Sequence, residues 1–339
     1  MLKGRRPWGS KLRRNCWSAL WCVVIFCRSL TALQAVIFCS TPDPNFNTAA
    51  PTGVLAASGW QWVGTWGSFQ GTPIGPHHFI AARHVGGLVG DSFGFNGVSY
   101  PTIAFADDAV TDLRIWEING TFPTWAPLYR GSTEIGSTLM VFGRGLTRGA
   151  AVVDPFKSLT RGWLWGAGDG RLRWGQNVVA EIRNEGAYWG ELLYATFDQS
   201  GGASEADLAS GDSSGPVFIN DGTGWKLAGV AAAVDAYFSV TGNDAGFNAS
   251  VFDARGLYFG SQGAWQLIPV SNPSPVASGF YATRISVRAA WIDSIVPPVD
   301  GGADAPLLGP TGSLAFAILL FGVGARFLGR HRNRAATAQ

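Results

Sequence analysis

The sequence predicts an antiparallel all-β body closed by a C-terminal helix, and three observations predict it. Short strand-like runs recur through the centre: Trp60–Trp66, His78–Ala82, Leu113–Ile118, Thr138–Phe142, Leu192–Phe197, Gly215–Ile219 and Leu227–Val234. Turn formers punctuate them, with 46 Gly and 18 Pro in 339 residues; many short strands with frequent turns point to a sandwich or a barrel. One helical pattern is clear, with Ile285, Ala289, Trp291, Ile292 and Ile295 on roughly one face. A chain that is 47% apolar and 14% charged is not a charged disordered segment, a coiled coil or an electrostatic nucleic-acid binder.

The N-terminal segment, residues 1–35, reads as a signal peptide. Lys3, Arg5, Arg6, Lys11, Arg13 and Arg14 precede an apolar run from Trp17 to Cys27 and a second from Leu30 to Cys39, with Arg28 between them. A basic stretch followed by a short apolar stretch is the pattern of a secretory signal, and Ala32 or Ala35 offers a small residue at its end. Cys16, Cys22 and Cys27 fall inside this segment and Cys39 outside it, so the exported body has no intramolecular disulfide to rely on. No Cys/His spacing suggests zinc, and the sequence calls for neither metal nor cofactor. Residues 36–57 form a lead-in, with Pro42 to Pro51 as its irregular part.

The far end reads as a membrane anchor. Residues 296–306 are a Pro- and Gly-containing linker, 307–328 a transmembrane helix and 329–339 a basic tail. Ala305 to Ala325 holds no charge over 21 residues, near the roughly 20 needed to cross a bilayer. Arg326, Arg330, Arg332 and Arg334 follow, which by the positive-inside rule keeps the tail cytoplasmic and the body outside. Pro297-Pro298 and Leu308-Gly309-Pro310-Thr311-Gly312, the apolar helix and the Arg-rich end resemble the tripartite sorting tags of bacterial surface proteins. That resemblance implies a bacterial membrane and a sorting or processing enzyme as partners, and secretion if the tail is cut. The two ends hold eleven of the 25 Lys and Arg and none of the acids, so the formal charge of +2 is an average. Residues 36–325 carry 14 basic against 23 acidic groups, a net charge of −9.

The chemistry concentrates in Ala209-Ser210-Gly211-Asp212-Ser213-Ser214-Gly215-Pro216-Val217-Phe218. A serine nucleophile needs an exposed hydroxyl on a tight turn and backbone N–H groups aimed at a developing oxyanion. Here Ser213 would be the nucleophile, Gly211 and Ser213 would supply the N–H groups, and Asp212 would pin the loop from behind. A base is required, and the chain has four His. His331 lies in the basic tail, His77 and His78 precede a strand, and His84 follows Phe79-Ile80-Ala81-Ala82-Arg83, where small neighbours allow close approach. Asp112, heading Asp112-Leu113-Arg114-Ile115-Trp116, is the candidate orienting acid; Asp107 and Asp108 are competitors in an acidic loop.

His, Asp and Ser in this order and in these contexts resemble the chymotrypsin/trypsin family of serine proteases, over residues 58–295. Ile80-Ala81-Ala82-Arg83-His84 is similar to that family's apolar-Thr-Ala-Ala-His segment, and Gly211-Asp212-Ser213-Ser214-Gly215-Pro216 to its Gly-Asp-Ser-Gly-Gly-Pro. The resemblance implies two six-stranded antiparallel β-barrels with the site between them, a Ser213–His84–Asp112 triad, and peptide-bond hydrolysis through an acyl-enzyme. It also implies a primary pocket with Asp207 at its base, favouring Arg or Lys before the cut, and with Ala232 and Val234 in its wall. Ala232 stands where the family often has a Ser whose hydroxyl lies near the catalytic Asp. The family's activating Ile-Val-Gly-Gly start is absent, so Asp212 is expected to find another partner than a freed N-terminus or to remain unpaired, and the enzyme to be constitutively active. The expected protein is thus an exported, membrane-tethered serine endopeptidase acting on protein or peptide, with no nucleic acid involved. The competing expectation is a catalytically inactive surface-displayed binding module on the same fold.

Overall fold

The computed structural model describes residues 36–154 and 158–297. The signal segment, the anchor and the basic tail therefore lie outside the described residues, and among the described residues no helix is long and apolar enough to cross a membrane.

The described chain opens on β1 (Ile37–Phe38), and the first half then forms a closed barrel. Its strands are β2 (Gly64–Trp66), β3 (Phe69–Gly75), β4 (His78–Ala82), β5 (Ser92–Phe95), β6 (Val98–Asp107) and β7 (Leu113–Ile118). They close in the order β2-β3-β4-β7-β6-β5, all neighbours antiparallel. Closure leaves no free sheet edge. One core is aromatic: Trp66, Phe79, Phe93, Phe95, Tyr100, Trp116 and Phe122 pack together, with the Phe79 and Phe93 rings stacked at 4.0 Å between centroids. This core sets a local sequence demand. A Cβ at Gly64 would lie 2.0 Å from Phe93 Cζ, so the strand passes close to the ring only as glycine.

The second half contains β8 (Thr138–Gly143), β9 (Arg148–Val153), β10 (Thr160–Trp165), β11 (Arg173–Val178), β12 (Glu181–Asn184) and β13 (Glu191–Thr196). There follow β14 (Ala206–Asp207), β15 (Pro216–Asn220), β16 (Trp225–Val234), β17 (Tyr237–Ser239), β18 (Phe247–Val251), β19 (Tyr258–Phe259), β20 (Gln266–Leu267) and β21 (Gly279–Arg284). Seven of these form one antiparallel sheet in the order β11-β8-β15-β16-β21-β13-β12. Here the expectation of a second six-stranded barrel needs correction. The chain breaks strand geometry at Val179-Ala180, and β12 is an additional strand that pairs outward with β13. The sheet still curls back on itself: Asn177 Nδ2 donates to Thr196 O at 2.9 Å and Ala180 N to Tyr194 O at 2.9 Å. A further six-stranded sheet, β20-β19-β17-β18-β10-β9, and the pair β1-β14 complete the fold.

The terminal helix is shorter than its sequence pattern. A 3₁₀ turn at Ser286–Arg288 leads into α1 (Ala289–Ile295). Ile285 and Ile292 are buried, while Trp291 and Ile295 are half-buried. These residues pack on a cluster that holds Ile80, Leu113 and Ile115 of the barrel together with Met140, Phe142, Phe218 and Leu227 of the seven-stranded sheet. That shared core joins the two halves. The ordered body also begins earlier than residue 58, because Val36, Ile37 and Phe38 are all buried.

Phe79 is fully buried among Phe93, Trp66 and Trp116. Phe79→Ala is expected to lower the unfolding free energy by about 3–5 kcal/mol, measured by urea denaturation followed by tryptophan fluorescence.

Candidate functional site

His84 and Asp112 are brought together by the pairing of β4 with β7. Ala82 lies opposite Leu113, so the residues just beyond each strand end meet. His84 sits in a 3₁₀ turn, Arg83–Val85, and Arg83 N donates to Asp112 O at 2.7 Å. The Asp112 carboxylate is fully buried. Its Oδ1 accepts His84 N at 2.9 Å, and its Oδ2 lies 2.5 Å from His84 Nδ1. A carboxylate partner assigns the imidazole proton to Nδ1 and leaves Nε2 as an acceptor. The competing acids are otherwise engaged. Asp107 binds Arg114 through a short bond to Nε and a 2.9 Å bond to Nη2, and Asp108 takes Arg288 at 2.6 Å.

The turn Ala209–Gly215 carries the candidate nucleophile. Ser213 is half-buried and lines a cavity of about 380 Å³ with Trp165, Leu208, Ala209, Ala231, Val234 and Asn248 among its walls. Ser214 is buried instead, and its Oγ accepts Ala82 N at 2.9 Å, which moors the turn two residues before His84. Ser214 takes a left-handed φ of 68°, the conformation that suits glycine, and this hydrogen bond helps to hold it there. Gly211 has φ 94°, and a Cβ there would meet Gly145 Cα at 2.9 Å. Asp212 N, Ser214 N and Gly215 N bond to carbonyls at 3.0, 2.8 and 3.0 Å. The N–H groups of Gly211 and Ser213 donate to no acceptor among the described residues. Ser213 Oγ likewise forms no hydrogen bond among them, with His84 or with any other group.

Asp212 does pin the turn from behind, and its partners come from its own turn and from two distant segments. Oδ2 accepts Ala209 N at 2.8 Å and Val36 N at 3.2 Å, and Oδ1 accepts Gly145 N at 2.7 Å. Burial pushes this carboxyl up to about 6, against the opposing pull of the three amides and of Arg173. The partner left open in the sequence is thus the start of the described chain. Val36 is buried and holds a φ of 59°, a strained conformation for a β-branched residue within a chain. The sequence signal for it was its place directly after Ala35, at one of the two candidate ends of the signal peptide.

Asp207 requires a correction. It is fully buried and does not line the cavity. Its carboxylate takes Leu208 N at 2.9 Å and the Ser278 hydroxyl at 3.3 Å, and it is also bonded by Ser250. Ser250 Oγ in turn accepts the indole N–H of Trp165 at 3.2 Å, and Trp165 does line the cavity. The serine and the tryptophan therefore lie between the acid and the pocket. Burial pushes Asp207 up to about 7 and its neighbour Glu205 up to about 8. Ala232 and Val234 lie in the cavity wall with Ala231 and Ala233. One contact was not legible at all: Tyr188, from the β12–β13 loop, donates its hydroxyl to Asp112 Oδ1 at 3.2 Å.

No group of three or more His, Cys, Asp or Glu side chains among the described residues is placed to hold a metal ion. No family model matches the sequence, and no curated protein matches it either.

The raised acids predict a pH dependence of stability. Ordinary carboxyls lose their proton near pH 4. Asp207 and Glu205 keep theirs in the fold until about pH 7 and 8. The stabilisation from their neutral forms is complete below about pH 4 and is lost as pH rises through those values. Asp207→Asn is expected to flatten the fall in melting midpoint between pH 5 and pH 9, measured by calorimetry at constant salt.

Proposed function

We propose that the protein is an exported, membrane-tethered serine endopeptidase with a chymotrypsin-like arrangement of its two β halves. The observation that carries the proposal is the pair of buried Asp112 and half-buried His84 beside a turn that is moored to β4 through Ser214 and leaves Ser213 Oγ and two backbone N–H groups unpartnered among the described residues. The closed barrel, the curled second sheet and the terminal helix support the same reading. On it, Ser213 Oγ attacks the scissile carbonyl while His84 Nε2 takes its proton. Asp112 holds the imidazole with Nδ1–H towards the carboxylate and stabilises the charge that forms. The Gly211 and Ser213 N–H groups receive the oxyanion, where one such donor is worth about 10²–10³ in kcat. The tetrahedral intermediate collapses to an acyl-enzyme as His84 passes the proton to the leaving amine, and water then repeats the sequence to free Ser213.

The substrate class follows from the cavity walls. Ala209, Ala231, Ala232, Ala233, Val234 and Ala236 offer methyl and methylene surface, and the one acid in the lining, Asp212, has its carboxylate taken up by the amides of Val36, Gly145 and Ala209. A Lys or Arg side chain would enter without a counter-charge, at a desolvation cost that hydrophobic contact does not offset. The residue before the cut is therefore a small or medium apolar one, in place of the Arg or Lys implied by the family resemblance.

Activation and placement complete the proposal. Removal of the signal after Ala35 would leave Val36 with a free ammonium group beside the Asp212 carboxylate. It would also abolish the φ restriction, since a terminal residue has no preceding carbonyl to clash with. The segment from Ala305 to Ala325 would then hold the body at the outer face of a bacterial membrane until a processing enzyme cuts it.

A non-catalytic surface-displayed binding module is the second reading, and one observation favours it: Ser213 Oγ is not hydrogen-bonded to His84. Labelling with a fluorophosphonate probe separates the two. The body starting at Val36 is expected to label at Ser213, and Ser213→Ala to remain unlabelled; folded protein that does not label overturns the protease reading. In a peptide library, Ala, Val or Leu before the cut is expected to exceed Arg or Lys by at least about tenfold in kcat/KM. Preference for Arg or Lys would restore Asp207 to the pocket.

A further inference from the structure

Among the described residues the buried Asp112 carboxylate receives three donors, and one of them comes from outside the barrel. His84 provides its backbone N–H and its ring Nδ1–H; the third is the Tyr188 hydroxyl, 3.2 Å from Oδ1. Tyr188 sits on the loop between β12 and β13, in the second half of the molecule. Several features hold it over the acid. Glu185 N donates to Gly190 O at 3.1 Å and Gly190 N to Gly186 O at 2.8 Å, which closes the loop. Gly190 presses on the residue next to Asp112, since a Cβ there would meet Thr111 Cγ2 at 2.7 Å. The Arg83 guanidinium lies 5.8 Å from the Tyr188 ring centroid, and Trp189 meets that ring edge-on at 5.1 Å. Tyr188 itself adopts φ 81°, an uncommon conformation for a residue with a side chain, so the placement is held at a local cost.

The donor matters because a buried carboxylate needs its lone pairs occupied. Burial and the charge of Asp112 raise the phenol above its ordinary value, so it stays a donor throughout the working range.

We infer that Tyr188 is a positioning residue for the His84–Asp112 pair, supplying a hydroxyl donor to Asp112 from the second half of the molecule. The inference rests on the serine-hydrolase reading above. It predicts that the β12–β13 loop couples the assembly of the two halves to the orientation of the base. It also predicts a direction for pH effects. Without the phenol, Asp112 is a stronger acceptor for His84, which favours the charged imidazole.

Tyr188→Phe keeps the ring against Arg83 and Trp189 and removes only the hydroxyl. With an apolar peptide substrate it is expected to lower kcat about tenfold with KM little changed, and to move the acid limb of kcat/KM to higher pH. Tyr188→Leu, which loses the ring as well, is expected to show at least the same loss. Calorimetry on each variant establishes that it is folded. A Tyr188→Phe enzyme with wild-type kcat and a wild-type pH profile overturns the inference, as does a lower rate with the acid limb unmoved, which would mark a merely structural role. Wild-type protein that is folded but neither labels at Ser213 nor cleaves any peptide overturns the serine-hydrolase reading itself, and this inference with it.

Discussion

The site depends on one buried carboxylate. Asp212 has almost no contact with water, and it gathers amides from Val36, Gly145 and Ala209. An ionised group in that position is costly unless its oxygens are filled. The surrounding chain is shaped to fill them. Gly143 and Gly145 come so close that a Cβ would lie 1.9 Å from Oδ1 at the first and 2.9 Å from the carboxyl carbon at the second. With Asp212 turned inward, Ser213 is turned outward to the cavity, and the two unused N–H groups fall on either side of Asp212 in the sequence. The turn is thus folded around its acid.

Two further contacts carry that order to His84. The Ser214 hydroxyl holds β4 at Ala82, and β4 delivers His84 opposite Asp112. The aliphatic and aromatic cluster that includes Ile80, Leu113, Phe142 and Phe218 fixes the barrel against the second sheet beneath these bonds. A donor placed by one half can orient an acid in the other only if that shared core holds the halves in register.

Much of this was legible in the sequence, and the reasons for the exceptions are physical. His78–Ala82 and Leu113–Ile118 are strands at the bounds the sequence indicates, because a continuous apolar run in the first matches burial on both faces and the charged Arg114 and Glu117 in the second fall at its half-buried positions. Trp60–Trp66 is strand only from Gly64; Trp60–Trp62 form a 3₁₀ turn that the run of large residues conceals. β5 and β6 escaped notice because Gly94, Gly97 and polar residues break their pattern, and closure of the barrel supplies the order that local propensity lacks. The strands of the third sheet are short and partly exposed, so periodicity does not mark them. At the site, the Ser213 turn, His84 and Asp112 were readable from residue type and order. The orientation of Asp207 was not, since it is set by Ser250 and Ser278, far along the chain. The Val36–Asp212 and Tyr188–Asp112 contacts span 176 and 76 residues, and no local pattern encodes either.

The buried Asp212 carboxylate holds the Ser213 turn, and on the proposed reading it does so best against a free Val36 ammonium. The direct measurement is the rate of fluorophosphonate labelling at Ser213 for two folded bodies, one starting at Val36 and one retaining Ala35 before it. A charged donor to a buried carboxylate exceeds an amide by enough to change such a rate about tenfold or more. The account predicts that the body starting at Val36 labels faster by at least that factor, and equal rates in the two would contradict it.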